Sequence, residues 1–151
     1  IAHKNHQNLL EAWIKLAELG KYPTLALTLG ERDVKLIEQV TTLKQKYNLK
    51  ITNLGHLPYK DVLNLYQCSR ALIFPSITES FGLPLIEASQ LGVDIIASEL
   101  DYVRDVCNPK CTFDPNSYVS IYRAVLRYLG VEEKIPSLNN SADLWSKFVK
   151  K

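Results

Sequence analysis

The sequence has little net charge, no long apolar run and no glycine-rich phosphate loop. Its formal net charge of +2 gives no reason to expect nucleic acid as a partner, or an anionic membrane as the main one. No apolar run approaches the roughly 18 residues of a membrane span, and we expect no signal peptide. The six glycines never form GxG or GxxxxGK[ST]. The usual dinucleotide turn and P-loop hydrolysis of nucleoside triphosphates are therefore disfavoured.

Cysteine is scarce as well. Cys68, Cys107 and Cys111 are an odd number of residues and do not form a four-ligand metal set. We expect reduced thiols in a cytoplasmic protein, with a local disulfide between Cys107 and Cys111 as the open alternative. His3 and His6 have no carboxylate or third ligand beside them, so we expect no metal there.

What remains is the composition of an ordinary globular domain. The 151 residues are 46% hydrophobic and 23% charged, enough for one domain with a sizeable core. Because the chain starts at Ile1 rather than methionine, we expect it to be a piece of a longer protein.

Short apolar strands alternate with helical patterns along the chain. The predicted strands cover residues 24–29, 50–54, 71–74, 94–97 and 111–113, and helices lie between them. This alternation predicts βαβ units, a parallel sheet and right-handed crossovers. Ligands of such sheets bind outside the carboxyl ends of the strands, so the loops after Leu29, Leu54, Phe74 and Ala97 should line one edge.

The segment from Glu79 to Glu87 lies on that predicted edge. Gly82 lets the backbone approach a ligand, and Pro84 opens a helix whose amino end favours phosphate. A carboxylate can accept hydrogen bonds from two vicinal hydroxyls, as a sugar offers. Phosphate and sugar together describe a nucleotide-diphosphate sugar. An ordinary turn with acids that favour the helix start is the alternative interpretation.

At these residues the chain resembles the C-terminal, donor-binding domain of the family 4 glycosyltransferases. The match covers residues 3–129 in an ordered set of motifs. They are Lys4-Asn5, Leu9-Leu10-Glu11-Ala12, Leu29-Gly30, Leu54-Gly55-His56-Leu57, Ala71-Leu72-Ile73-Phe74-Pro75-Ser76, Glu79-Ser80-Phe81-Gly82-Leu83-Pro84-Leu85-Ile86-Glu87-Ala88, Gly92, Ala97-Ser98 and Phe113-Asp114-Pro115.

The resemblance implies a fold and an organisation. The fold is α/β, with a Rossmann-like parallel sheet flanked by helices, as one half of a two-domain GT-B enzyme. Residues 1–130 would form the nucleotide-sugar-binding domain, and residues 131–151 a polar linker and a C-terminal helix. Trp145, Phe148 and the lysines around them in that helix fit a solvated helix end, peripheral contact with a membrane, or packing across the domain junction.

The resemblance also implies an activity. Such enzymes move a hexose from a UDP- or GDP-linked donor to an acceptor with retention at the anomeric carbon, here in polysaccharide or glycoconjugate synthesis. They usually need no divalent metal, and we expect no cofactor. The location would be cytoplasmic, including the cytoplasmic face of the inner membrane. The acceptor site would belong to a missing N-terminal domain, so we expect the chain alone to be inactive.

Residue roles follow by matching the family motif position by position. Glu79 would contact donor-sugar hydroxyls and Lys4 the diphosphate, as the catalytic pair. Glu87 would hold the ribose. The remaining positions assigned to the donor are the Phe81, Gly82 and Leu83 amides at the sugar and phosphates, His56 and Leu57 at the base, and Gly30 in the loop after the first strand.

The chain departs from the family pattern in three places. The family's arginine partner of the lysine, and a mid-sheet strand before it, would both lie upstream of Ile1. Asp94 replaces the usual proline after Gly92, and the family's glutamate after Ala97-Ser98 has no clean match. The role of the nearby Arg104 is therefore open.

Three alternatives stay open. One is a nucleotide-sugar epimerase of the same fold, and another is a non-catalytic α/β ligand-binding module. The third is a hydrolase that uses Glu79 and Glu87 as paired acids on one bond, about 5 to 9.5 Å apart. The resemblance instead places the two acids on different parts of one donor.

Overall fold

The computed structural model describes residues 2–131, which form helices and strands in alternation. The helices in that range are α1 (His6–Glu18), α2 (Val34–Tyr47), α3 (Tyr59–Cys68), α4 (Leu83–Gln90), α5 (Asp101–Val106) and α6 (Tyr118–Tyr128). The strands are β1 (Leu25–Leu27), β2 (Ile51–Asn53), β3 (Ala71–Phe74), β4 (Asp94–Ser98) and β5 (Cys111–Phe113). Short 3₁₀ turns, Ala2–Lys4 and Glu31–Asp33, precede α1 and α2.

Every strand pairing in residues 2–131 is parallel, as predicted. β1 pairs with β2, and β4 lies between β3 and β5. Helices connect successive strands, because a parallel pair needs a crossover rather than a tight turn. The predicted α/β class is confirmed, and the predicted strand bounds are right to within one or two residues.

The pairings divide the strands into two sheets, with a cleft between β1 and β3. One cavity, of about 500 Å³, is lined by the chain that leads into both strands, including Thr24 and Arg70. A second, of about 340 Å³, is lined by the chain that leaves them, including Leu29 and Pro75. β1 and β3 therefore run in the same direction across the cleft, and their carboxyl ends open on the second cavity.

Two clusters of buried apolar side chains support the sheets. The larger, which we call the main core, joins α1 and α6 to both sheets and includes Leu10, Leu16 and Ile121. The smaller, which we call the site core, lies under β3, α4, β4 and α5 and consists of Phe74, Leu85, Ala88, Ile95, Ala97 and Val103. Trp13 belongs to the main core, and its indole N–H donates to the Pro23 carbonyl at 3.0 Å.

Several of the sequence predictions can be compared with these residues. All three cysteines are free, so the local disulfide between Cys107 and Cys111 does not form. No helix in the range 2–131 is long and apolar enough to cross a membrane. The predicted C-terminal helix with Trp145, and the linker from residue 132 onward, lie outside the described residues.

Candidate functional site

The loop from β3 to α4 is shaped by Gly82. Gly82 adopts φ +61°, a left-handed conformation that side chains rarely take. A β-carbon there would lie 3.3 Å from Leu85 Cδ1, so the site core fits tightly beneath it. The Gly82 carbonyl accepts from the Leu85 and Ile86 amides and starts α4. Beside it the side chains of Phe81 and Leu83 are 75% and 59% exposed, so this helix start is open to a ligand.

Glu79 is held within that loop. Its carboxylate accepts a hydrogen bond of 3.1 Å from the Ser76 hydroxyl, and Ser76 is buried at the end of β3. The Ser76 carbonyl in turn accepts from the Tyr102 phenol at 2.8 Å. Burial raises the pKa of Tyr102 to about 12, and the charge of the nearby Glu79 adds to the shift. Tyr102 is therefore a neutral phenol at pH 7, beside the Glu79 side chain.

Lys4 reaches the same place because its neighbours are fixed to β3. The Ile77 amide donates to the His3 carbonyl at 2.9 Å. The buried Asn5 amide donates to the carbonyls of Pro75, at 3.0 Å, and Pro115, at 2.7 Å. As a result, the cavity at the carboxyl ends of β1 and β3 has polar and charged groups in its lining. They include Lys4, His6, Asp33, Ser76 and Glu79.

His6 is the second basic group of this cavity. Burial lowers its pKa, and the positive charge of Lys4 lowers it further against the opposing charge of Asp33. His6 is therefore neutral at pH 7, and Lys4 is the other basic side chain in the lining of this cavity.

Glu87 has a different environment from Glu79. It lies within α4, beside Tyr66 of α3. Burial raises the pKa of the Tyr66 phenol to about 12, and the charge and hydrogen bonding of Glu87 raise it further. Each glutamate of the segment therefore has its own tyrosine neighbour, which belongs to a different helix.

Gly30, His56 and Leu57 form a separate group at the ends of β1 and β2. A β-carbon on Gly30 would lie 3.9 Å from His56 Cβ, so the two loops touch. The Asn53 side chain joins them, accepting from the Leu29 amide at 2.9 Å and donating to the Leu29 carbonyl at 3.2 Å. Neither His56 nor Leu57 lines the cavity that Lys4 and Glu79 line, although the loop of His56 and Leu57 also follows the carboxyl end of a strand.

Arg104, whose role the sequence left open, pairs with Glu99 at the end of β4. Its guanidinium donates two hydrogen bonds, of 2.8 and 2.6 Å, to that carboxylate. These bonds hold the pKa of Glu99 at about 2. Both side chains are exposed, so within the described residues this is a surface ion pair beside the edge.

Sequence reasoning missed the residues that hold the site together: Asn5, Asn53, Tyr66, Ser76 and Tyr102. Asn5 appeared only as the neighbour of Lys4. Asn53 and Tyr102 do carry a signal, since Asn53 lies near the carboxyl end of one predicted strand and Tyr102 follows another. Tyr66 carries none, because nothing local shows that α3 will lie against α4.

Parallel strands, flanking helices and a helix start at the carboxyl edge define a Rossmann-like α/β domain of the GT-B glycosyltransferase fold. Solved structures agree. The C-terminal domain of a glycosyl transferase group 1 family protein (LpcC) from Francisella tularensis superposes with a TM-score of 0.70 at 22% identity, over 97% of this chain and 80% of that one. The family profile described as glycosyl transferases group 1 matches residues 1–143. The chain belongs to this family.

Curated relatives include two proteins from Escherichia coli. The O-antigen chain mannosyltransferase B is 34% identical over 80 residues, which is 52% of this chain and 21% of the relative. The serotype-specific mannosyltransferase WbdA is 29% identical over 131 residues, which is 83% of this chain and 16% of the relative. The chain thus spans about a fifth of the length of these relatives.

Proposed function

We propose that this domain is the donor-binding half of a retaining hexosyltransferase and that it holds a nucleotide-diphosphate sugar at the edge described above. The observation that carries the proposal is that Lys4 and Glu79, 75 positions apart in sequence, line one cavity beside the start of α4. A cation, a helix amino end and a carboxylate together suit a diphosphate joined to a sugar.

Each charged group has a distinct task in this proposal. Lys4 and the α4 start take up negative charge on the departing diphosphate, as electrostatic stabilisation of a leaving group requires. Glu79 accepts hydrogen bonds from the sugar hydroxyls, and Glu87 accepts them from the ribose. This chemistry uses no divalent metal. Gly30, His56 and Leu57 form the neighbouring wall for the base.

The environments of the two glutamates support transfer over hydrolysis. The two carboxylates of a glycosidase pair act across one bond. Here Glu79 accepts a hydrogen bond from Ser76 within the loop. Glu87, on α4, lies beside Tyr66 of α3. The names of the relatives support mannose as the first sugar to test, and polysaccharide synthesis as the setting.

The cleft between β1 and β3 supports the expectation of a further strand in the middle of the sheet. Two parallel strands that run in the same direction, with a cleft between them, suit one more parallel strand at mid-sheet. The Ala2–Lys4 turn lies at the carboxyl end of this cleft, where such a strand would leave it. The acceptor site would then belong to a further domain, and the 151-residue chain should not transfer sugar by itself.

Calorimetric titration with UDP and GDP tests the proposal. We expect one of the two to bind, and Glu87→Ala to weaken it about tenfold or more, since a hydrogen bond to a charged group contributes about 1.5–3 kcal/mol. Glu38→Ala, an exposed acid on α2, is the matched control and should bind like the unmodified chain. Equal affinity of Glu87→Ala and the unmodified chain would remove Glu87 from the site. Binding of neither nucleotide would overturn the proposed function.

A further inference from the structure

Tyr102 is the one side chain of α5 that forms a hydrogen bond with the Glu79 loop among the described residues. Its phenol donates to the Ser76 carbonyl at 2.8 Å, 26 positions away in sequence. Ser76 is buried, with 2% of its surface exposed, so this bond reaches a buried residue and fixes the start of the loop. A backbone carbonyl in such a place needs a partner.

The same side chain also contacts the end of the loop. A β-carbon at Gly82 would lie 3.9 Å from the Tyr102 ring and 3.7 Å from Val106 Cγ2. The ring therefore lies behind the glycine that starts α4. Residues 77–81 lie between these two contacts, and Glu79 is the middle one. The Ile77 amide is also held, by the His3 carbonyl.

α5 itself is anchored to the site core. Val103, the next residue, is fully buried, and the Val103 and Arg104 amides donate to the Leu100 carbonyl. β4, which leads into α5, is tied to β3 by the Ser98 hydroxyl and the Phe74 carbonyl. Tyr102 is thus a rigid group that reaches the loop from outside it.

The link to Glu79 passes through Ser76. The Ser76 carbonyl accepts from Tyr102, and the Ser76 hydroxyl donates to the Glu79 carboxylate at 3.1 Å. Among residues 2–131, the Ser76 hydroxyl is the one group that donates a hydrogen bond to the Glu79 side chain. A shift of the Ser76 backbone would therefore move this donor.

We propose that Tyr102 is a positioning residue for Glu79: through Ser76 and Gly82 it fixes the loop so that the carboxylate faces the donor sugar. This proposal rests on the proposed function. It predicts that the Tyr102 hydroxyl affects recognition of the sugar and leaves recognition of the nucleotide unchanged, because Glu87 and the α4 helix are held by other contacts.

The first test needs no ligand. Tyr102→Phe removes one oxygen and keeps the ring. Hydrogen exchange, followed by mass spectrometry on peptides that cover residues 76–82, should become at least threefold faster in Tyr102→Phe. Tyr118→Phe, which alters an exposed tyrosine at the start of α6, should leave exchange unchanged. Unchanged exchange in Tyr102→Phe would overturn the proposal even if no nucleotide binds.

The second test separates positioning from general loosening. Calorimetry compares the nucleotide that binds, UDP or GDP, with UDP-glucose or GDP-mannose. Tyr102→Phe should keep nucleotide affinity within twofold and reduce the additional affinity for the conjugate three- to tenfold. On a Glu79→Gln background, Tyr102→Phe should cause no further loss. Equal loss for nucleotide and conjugate, or additive losses in the double variant, would contradict the proposal. Failure of the unmodified chain to bind any nucleotide would instead count against the proposed function.

Discussion

The main core and the site core support the molecule in different ways. The main core is a broad apolar cluster that joins α1 and α6 to both sheets. The site core is smaller, and the segment that carries Glu79 and Glu87 lies directly above it. Around the site core, polar contacts supplement the apolar ones, such as those of Asn5 and Tyr102. Stability therefore rests mainly on the main core, and the geometry of the segment from Glu79 to Glu87 depends on the site core.

This difference suits a binding site. A loop that must present a carboxylate to a ligand cannot bury it in an apolar cluster, since an unpaired buried charge is costly. Directed hydrogen bonds from neighbouring elements hold such a loop while leaving its side chains accessible. Ser76 and Tyr102 provide this support for Glu79, and Tyr66 provides it for Glu87.

Leu16→Ala and Leu85→Ala should have the largest effects and compare the two clusters directly. Both leucines are fully buried, one in each cluster. Each substitution should lower the free energy of unfolding by about 2–5 kcal/mol, through lost burial and the cavity left behind. Urea unfolding measures the loss of free energy in both variants. Only Leu85→Ala should also weaken nucleotide binding, because Leu85 lies beneath Gly82.

Calorimetry under conditions in which both variants are fully folded provides the check. If Leu16→Ala weakened nucleotide binding as much as Leu85→Ala, the two clusters would not be separable and the comparison would be wrong. If neither substitution weakened nucleotide binding, the site core would have no special part in shaping the segment from Glu79 to Glu87.

The sequence predicted most of the fold, and at the candidate site it predicted the position of Glu79 but not the residues that support it. Strand periodicity placed β3 and β5 at their observed bounds, because short apolar runs between turn residues leave few alternatives. The edge rule placed Glu79 correctly. The support from Tyr66 and Asn5 was not predictable, since it depends on contacts between elements distant in sequence. The Asn5 side chain, for example, reaches Pro115 across 110 positions.

Asn5→Asp should have the next largest effect, because Asn5 links the two regions. The substitution keeps the shape and replaces the amide donors with oxygen that faces the carbonyls of Pro75 and Pro115. We expect a loss of roughly 1–3 kcal/mol of unfolding free energy, the cost of leaving buried groups unsatisfied. Nucleotide binding should weaken too, since Lys4 is adjacent.

Asn48→Asp is the matched control for that substitution. Asn48 has the same left-handed backbone, φ +55° against +59° for Asn5, but it is exposed at the end of α2. Urea unfolding should show a change of less than about 0.5 kcal/mol, as for most surface substitutions. A similar loss in both variants would mean that the backbone conformation, rather than the two hydrogen bonds, carries the effect.

Replacing His6 should have the smallest effect on the free energy of unfolding, and this effect should appear only as the pH falls. The residue starts α1 and lines the cavity of Glu79, where the two regions meet. Burial and Lys4 lower its pKa in the folded state, so the unfolded chain takes up its proton first. The stabilisation is complete above about pH 6.5, the ordinary pKa of histidine, and is lost as the pH falls through the lower folded-state pKa.

His6→Gln removes the titrating group. The free energy of unfolding, measured in urea from pH 8 to pH 5, should therefore fall more for the unmodified chain than for the variant. Parallel pH curves would show that His6 titrates normally and that the cavity does not exclude a second positive charge.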